Sequence, residues 1–440
     1  MSPQTKQQVD VVVLGGGSAG LWTSYEIAGL PLSCAVVDEK PFSAYASTLN
    51  QGWLQSGAFY IAHSKDVQAA MDCWNGYQTL QEFSRNFARD AIHSDVPSYL
   101  LFREEAVDED GDLIKGKEQL EDTLRLCRDL GIPAQDYDIE RVKASEPLLD
   151  GARYGYAAHV ADCPVSTTHV LSALAEEASK LGVSFHQVSR LDTILPVWDG
   201  EYWHVELSEA ATLTCKALVV TAGVYIPDIL RKLNVQGAAA FNLTKIPVLV
   251  MHEPIAQSLL VTPGEHGGPS LVPFFGKDGR IAGATVCLLR VDDPIESYTD
   301  KDLPPDHREL YAKKLGDTLR GVRAVVGQKE SAGNPIPAHF YVCQKLSLQG
   351  KNISRGHIVL EYAPGPGAPK NILTFYPGKF TAAPVAAREC VAKVRALFSA
   401  TDVVPSISPQ TPIPIATQLY YKQPDLYARV RGENIFFEPK

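Results

Sequence analysis

Four apolar residues, Val11 to Leu14, run directly into Gly15-x-Gly17-x-x-Gly20, a pattern that few folds can accommodate. The first glycine permits a tight turn, the second lets the backbone approach a pyrophosphate, and the third lets the next helix press on the strand. Residues 10–38 therefore predict strand, glycine turn, helix and strand, with DVVVLGGGSAG, LWTSYEIAGL and SCAVVDE as the parts. A diphosphate would sit on amides at the helix start, where the dipole favours negative charge. That singles out Gly15, Gly17, Ser18, Ala19 and Gly20. Asp38 ends the second strand 18 residues past Gly20 and, with Glu39, is placed to accept hydrogen bonds from an adenosine ribose. Each feature also has a plain structural reading, a glycine turn and a solvated loop acid. In this order they point to a bound dinucleotide.

A chain of 440 residues can bury a large core and divides into two or three units of ordinary size. Its 41 basic and 51 acidic residues give a net charge of -10. Nucleic-acid backbones and anionic lipid surfaces are disfavoured as partners of such a surface. The eight cysteines lack any CxxC pair or His/Cys cluster, so no metal is expected and reduced, mostly buried thiols are. The apolar start lacks a basic n-region, and no stretch reaches the ~18 apolar residues of a membrane helix, which predicts a cytoplasmic protein without an integral membrane segment.

Helical spacing of Val67, Ala70, Met71, Trp74, Tyr77, Leu80, Phe83 and Phe87 predicts a helix over 66–88. A second is expected near 117–130, stopping at Gly131 and Pro133, and a third from an N-cap at Ser166 to Leu181 with Gly182 beyond it. Alternating runs at 202–207 and 212–223 suggest an antiparallel excursion returning to the main sheet. Residues 240–350 read as β-rich, with a DGR turn at 278–280, and 371–399 as strand, PGK turn and helix. The last forty residues, rich in proline and aromatics, are expected to pack on the body as a tail.

The segment YASTLNQGWLQSGAFY within 44–60 resembles the second flavin motif of the D-amino acid oxidase superfamily. Asn50, Gly52, Ser56, Gly57 and Tyr60 are similar to the pattern in anaerobic-type glycerol-3-phosphate dehydrogenases and L-2-hydroxyglutarate oxidases. ALVVTAG (217–223) resembles the element that runs under the flavin, and LTFYPGKFTAAP (373–384) is similar to the VxGGKxTT signature of the glycerol-3-phosphate enzymes. The resemblance implies FAD, with Ser47 and Thr48 donating to the pyrophosphate and Asn50 and Gln51 close to the cofactor. It also places backbone at Val188 by the adenine, and Ala222 and Gly223 beneath the ring system. Independently of any resemblance, the glycine turn exposes amides at Gly378, Lys379, Phe380 and Thr381, which can stabilise negative charge on the pyrimidine end of a reduced flavin. Lys379 and Tyr60 become substrate-side candidates, with a surface lysine and a core aromatic as their bland alternatives. His63 is a candidate base, with His159 and His266 in weaker positions.

Three departures bear on the substrate. The glycerol-3-phosphate enzymes carry arginines where this chain has Phe59 and Gly333-Asn334-Pro335, and Gln51 replaces the histidine of their NHG motif. Arginine is the usual fork for phosphate or carboxylate, and neither replacement carries charge. Lys345, Arg280 and Arg355 are left as other sources of a cation.

The expected fold is α/β: a Rossmann-type, GR2-like FAD-binding domain with a second, mainly antiparallel β-sheet substrate domain. The cofactor unit takes residues 1–90, 150–230 and 355–400, the substrate unit 91–149 and 231–354, and the tail 401–440. The expected activity is oxidation of a small-molecule CH–OH group, such as a hydroxy acid or polyol, with hydride transfer to the flavin. Dioxygen, a quinone or another carrier would then take the electrons. An amine or amino-acid oxidase of the same superfamily, and a flavin-binding interaction protein without turnover, are the alternatives. Because no second glycine fingerprint is present, NADH and NADPH are expected not to reduce the flavin at useful rates. Rapid bleaching by either in a stopped-flow experiment would contradict this.

Overall fold

The computed structural model describes residues 5–39, 47–48, 50–107, 113–146, 149, 154–189, 191, 194–208, 211–235, 241–251, 255–261, 269–276, 279–288, 338–348, 357–362 and 370–398. The tail, Asn334, His266 and Arg355 lie outside these residues, as does part of the DGR turn. The Lys345 side chain is likewise outside them.

The helices are α1 (Ser18–Ala28), α2 (Ala58–Ser64), α3 (Val67–Phe87), α4 (Gly116–Asp129), α5 (Ile139–Ser145), α6 (Thr167–Lys180), α7 (Ile226–Lys232) and α8 (Ala383–Leu397). A six-stranded sheet runs in the order Ser184–Gln187, Cys34–Asp38, Val11–Leu14, Ala217–Val220, Ile372–Tyr376, Ile358–Glu361. The first five strands are parallel and the last is antiparallel to its neighbour. A parallel sheet is buried on both faces, which is why VVVL and CAVVD read as continuous apolar runs. Period-two alternation divides them. Val11, Val13, Val36 and Val219 face α1, α6 and α8, while Val12, Leu14, Val37 and Val220 face α7 and a small sheet carrying Trp203, Val205 and Leu213. Full burial of each such side chain contributes about 1.5–3 kcal/mol.

The run 212–223 divides in two at Lys216. Ala211–Cys215 pairs with Trp203–Ser208 and with Thr5–Gln8 in the small sheet, and Ala217–Val220 joins the main sheet. The N–H groups of both Lys216 and Ala217 donate to the Asp10 carbonyl at 3.1 Å. Buried Asp10 makes the matching step between Thr5–Gln8 and Val11–Leu14, its carboxylate accepting from the Ser33 amide and hydroxyl at 2.7 Å.

The second large sheet has eight strands, in the order Ala338–Leu348, Phe241–Met251, Ile281–Leu288, Pro269–Phe275, Ser258–Val261, Ser98–Phe102, Tyr156–Val160, Ala134–Tyr137. Its pairings are antiparallel except between Ser258–Val261 and Ser98–Phe102. Tyr156–Val160 pairs here, although it lies in the stretch 150–230 given above to the cofactor unit. On one face Leu100, Phe102, Ala158 and Val160 pack with Phe59, Tyr60 and Leu120 of α2 and α4. The expected helices at 66–88, 117–130 and 166–181 are α3, α4 and α6, and Gly131 and Gly182 take positive φ of 70° and 97° just past two of them.

Helices α3 and α8 meet the antiparallel edge strand at an ionic cluster. His357 lies between Asp72 (Nδ1 to Oδ2, 2.8 Å) and Glu389 (Nε2 to Oε2, 2.7 Å). The hydrogen bond to Asp72 raises the His357 pKa to about 9 against the opposing effect of burial. Burial pushes the Asp72 carboxyl up, but its bonds to His357 and Gln68 bring it below the usual carboxylate range. The histidine's contribution to stability is therefore full below about pH 6.5 and is lost as pH rises through about 9. His357→Gln is expected to lose about 2 kcal/mol near pH 6, and the gap to the parent should narrow by pH 9.5 in denaturant titrations. A gap independent of pH would refute this.

Candidate active site

Val11–Leu14 ends between the ends of Cys34–Asp38 and Ala217–Val220, where strand order reverses. In open α/β sheets this crevice is where ligands bind. Gly15 has φ of 108°, and a Cβ there would lie 2.6 Å from the Ala222 Cα. A Cβ on Gly20 would lie 1.8 Å from the Gly15 carbonyl oxygen. Thr221 locks the turn, its hydroxyl donating to the carbonyls of Leu14 (3.1 Å) and Gly15 (2.9 Å). Gly17 heads α1 without a capping side chain of its own, and Ser18 N donates instead to Ser47 Oγ at 2.9 Å. Ala19 follows in the first turn, buried.

Asp38 brings its carboxylate to this loop. Oδ2 accepts from Gly16 N and Oδ1 from Glu39 N at 2.6 Å. Glu39 is engaged differently, accepting from Leu191 N (2.9 Å) and the Tyr225 hydroxyl (3.2 Å), which makes it a brace between two loops. Val188 follows its strand beside Asp38, its amide donating to the Asp38 carbonyl at 2.9 Å. Ala222 is buried, and Gly223 turns with φ of 55°.

The second motif crosses from the loop beside α1 to the eight-stranded sheet. Asn50 Nδ2 donates to Ser47 O (2.7 Å) and its Oδ1 accepts from Gly52 N (2.8 Å), while Thr48 is buried. Gln51 ties this loop to the large sheet, its carboxamide meeting the Ser270 carbonyl and hydroxyl at 2.8 Å and its own carbonyl accepting from Thr285 Oγ1 at 2.7 Å. Trp53–Leu54 then pairs with Cys163–Pro164. Ser56 bonds the fully buried Asp162 through its amide (2.6 Å) and its hydroxyl. Burial raises the Asp162 carboxyl to about 6 even though Ser56 donates to it.

Gly57, at φ of 100°, starts α2, and the Tyr60 hydroxyl donates back to Gln55 Oε1 at 2.9 Å. Gln55 N donates to Thr381 Oγ1 at 3.2 Å. The Thr381 hydroxyl therefore serves the motif segment rather than capping α8, whose N-cap Ala382 makes no side-chain bond. Gly378 takes φ of 66° in the turn, Phe380 packs against the core, and Lys379 Nζ lies 5.6 Å from the Tyr60 ring centroid. The site thus brings together Gln55, Tyr60, Lys379 and Thr381. His63 is instead stacked on Phe59 (5.3 Å), and Phe59 is wholly buried against Trp53 and Tyr60. His159 sits on the substrate sheet among Tyr99, Tyr137 and Gln135, and Arg280 is exposed. Sequence reasoning missed Gln55, Thr221 and Asp162. The TAG run could have pointed to Thr221, but Asp162 lies 106 residues from Ser56 and gave no signal.

Comparison with known proteins matches residues 10–358 to the DAO family of FAD dependent oxidoreductases. The chain belongs to that family. Over 194 residues it is 26% identical to one of the subunits of the anaerobic glycerol-3-phosphate dehydrogenase of Escherichia coli (strain K12), covering 43% of this chain and 33% of the relative. The match therefore spans about a third of the curated relatives' length, the Shigella flexneri protein included. The L-proline dehydrogenase from P. horikoshii shares the fold at a TM-score of 0.65 and 12% identity, over 91% of this chain and 96% of that one. The L-alpha-glycerophosphate oxidase from Mycoplasma pneumoniae, with FAD bound, gives 0.62 and 15% over 93% and 99%. The glycine oxidase from Geobacillus kaustophilus gives 0.61 and 14% over 92% and 99%.

FAD is the cofactor of this family, and the residues present fit it. At the start of α1 a Cβ on Gly15 or Gly20 would strike backbone and one on Gly17 the Ser47 hydroxyl, so the glycines let the turn close tightly onto the helix start, with the Asp38 carboxylate bonded to the Gly16 amide. Gly15, Gly17, Ser18, Ala19, Gly20, Ser47 and Thr48 would hold the pyrophosphate, Asp38 the ribose, and Gly378 to Thr381 the far end. Among the described residues no helix is long and apolar enough to cross a membrane, and no cluster of His, Cys, Asp or Glu could hold a metal.

A Cβ on Gly17 would meet Ser47 Oγ at 2.9 Å, and further methyls would fill the cradle itself. Gly17→Val is expected to yield folded protein with FAD occupancy at least tenfold below the parent, read from the 450 nm absorbance of the purified chain (a generic flavin band of about 450 nm). Full occupancy would show that the cradle lies elsewhere.

Proposed function

We propose that the chain oxidises a small molecule at a CH–OH carbon, the hydride leaving that carbon and the hydroxyl proton passing to a base or to water. FAD, when bound, supplies the hydride acceptor, and dioxygen, a quinone or another carrier then takes the electron pair. The observation that carries this reading is the lysine at the mouth of the site. Lys379 Nζ stands over the Tyr60 ring, beside the hydrogen-bonded Tyr60–Gln55 pair. Its ammonium can orient a hydroxyl or carboxylate oxygen, and it stabilises oxygen as negative charge develops there. A protonated amine brought to the same place would be repelled, at about 4 kcal/mol for like charges 4 Å apart near a protein surface. That favours alcohol over amine oxidation. The 26% identity to part of a glycerol-3-phosphate dehydrogenase supports the same direction.

The start of α8 holds the other end of the chemistry. The Ala383 amide donates to the Phe380 carbonyl at 3.1 Å and Pro384 has no N–H, so the amide at the head of α8 that can face negative charge on the flavin is that of Ala382. Tyr60 is the positioning partner of Gln55, and Gln51 fixes the substrate sheet over the motif loop.

The specific substrate follows from the cations. Phe59, where the glycerol-3-phosphate enzymes carry arginine, is core in this chain, so no charge can come from that position. Losing one desolvated charged contact costs on the order of 2–5 kcal/mol, or about 30-fold to several thousand-fold in affinity. We therefore expect negligible turnover with glycerol 3-phosphate, and a substrate that is neutral or held by Lys379 alone. Anaerobic bleaching of the flavin across hydroxy acids, polyols, polyol phosphates and amines tests the reading. Reduction by a hydroxy compound supports it. A micromolar KM for glycerol 3-phosphate, reduction by amines alone, or no reduction by any compound would each overturn part of it, the last favouring a binding protein.

A further inference from the structure

Helix α3 carries a glycine in its middle, where glycine costs about 1 kcal/mol relative to alanine. The reason is contact. A Cβ on Gly76 would lie 1.8 Å from the Thr381 carbonyl oxygen, 2.8 Å from its carbon and 3.3 Å from the Ala382 Cα. The turn that leads into α8 is therefore pressed, backbone to backbone, on α3. The same helix touches the other half of the site, since a Cβ on Gly57 would lie 2.3 Å from the Ala70 carbonyl oxygen. The bond from Gln55 N to Thr381 Oγ1 joins the two segments directly. Two backbone contacts and this hydrogen bond to the Thr381 side chain thus link the segments that carry Gln55, Tyr60 and Lys379.

The orientation matters as much as the distance. A trans peptide is planar, so its N–H points opposite to its carbonyl. With the Thr381 carbonyl directed at Gly76, the Ala382 N–H at the head of α8 is aimed away from α3. We propose that Gly76 is a positioning residue for the flavin: by admitting the Thr381 carbonyl to the surface of α3, it sets the distance and aim of the Ala382 amide at the head of α8. That amide would in turn face negative charge on the reduced ring. The proposal rests on FAD binding, not on the substrate named above.

Alanine at 76 must move the turn by at least about 1.2 Å, from 1.8 Å to the 3.0 Å below which real Cβ contacts do not occur. The pyrophosphate cradle lies on α1, so Gly76→Ala is expected to keep FAD. The FAD-loaded variant and parent are compared by dye-equilibrated reduction potential, by sulfite titration, and by amide exchange at 380–383. The expected result is at least tenfold weaker sulfite binding and a lower potential, a tenfold change being about 30 mV for a two-electron couple. Faster exchange at 380–383 should accompany it. Gly29→Ala, whose Cβ would meet only the Glu26 carbonyl at 3.4 Å, is the control for a general glycine effect. Gly76→Ala with parental potential and sulfite affinity would overturn the proposal, whatever its stability. Where that variant is not recovered folded, Thr381→Val carries the test. It removes the acceptor of the Gln55 amide at another of these links, and a parental potential there overturns the proposal equally. Dithionite reduces the flavin without substrate, so failure of the substrate assignment leaves the test intact.

Discussion

The backbone crossing at Gly15 is the contact on which the remaining geometry depends. Two parallel strands end side by side there, and the chain must turn into α1 without a side chain between turn and neighbour. Thr221 reaches across to the Leu14 and Gly15 carbonyls with its hydroxyl, and its amide donates to the Leu14 carbonyl as well at 2.8 Å. At the opposite end of the same strands, Asp10 accepts both the Lys216 and the Ala217 amide. Both ends being fixed, the register Val11–Leu14 against Ala217–Val220 cannot slip, since a one-residue shift would turn each apolar set to the wrong face. The helix N-terminus that faces a diphosphate is thus aimed by the sheet rather than by its own cap.

The second half of the site is held by a buried acid. Asp162 is removed from water, and burial alone would keep it protonated well above the carboxylate range. Two donors from Ser56 offset much of that, leaving its pKa near 6. The pair anchors the Trp53–Leu54 and Cys163–Pro164 bridge and leads into the left-handed turn at Gly57. Gln55 lies between these restraints. Its backbone and side chain are both directed, one to Thr381 and the other to Tyr60. A polar group oriented from two sides keeps its aim when a ligand arrives, which is the condition for useful electrostatics in a site.

Local patterns carried the cofactor half of the molecule into view. Glycine spacing, an apolar strand before it and an acid after the next strand each depend on neighbours within a few tens of residues, and the structure joins them through Asp38 and Gly16. Long amphipathic helices such as α3 and α6 were legible for the same reason. Short elements were not. Ala58–Ser64 has too few residues for a period to emerge, and its run AFYIAHS is apolar on all sides because it lies in a core. Tyr156–Val160 joins the substrate sheet despite its place in the chain, because pairing partners are set by topology and not by composition. Gly76 gave no warning, since a glycine in a helical pattern reads only as a weak position until the opposing backbone is known.

Alcohol and amine oxidation can share one fold because the chemistry they have in common, removal of hydride from carbon, is assigned to the same elements. What differs is the heteroatom and its charge, and a single side chain can reverse that preference. In this chain the aromatic at 59 has been absorbed into a stack of Trp53, Phe59 and His63, so α2 offers the ligand side an apolar, closely packed wall. The positive charge comes instead from the turn before α8, on a flexible stem held over the Tyr60 face. A lysine there is a point charge, whereas an arginine fork would demand a planar, bidentate anion. On the proposed reading, an ammonium on a turn in place of a planar fork on a helix would relax the geometric demand on the ligand while keeping its sign. Under the proposed alcohol oxidation, selectivity would then come from the walls around Lys379, among them the sheet face that Gln51 ties to the motif loop.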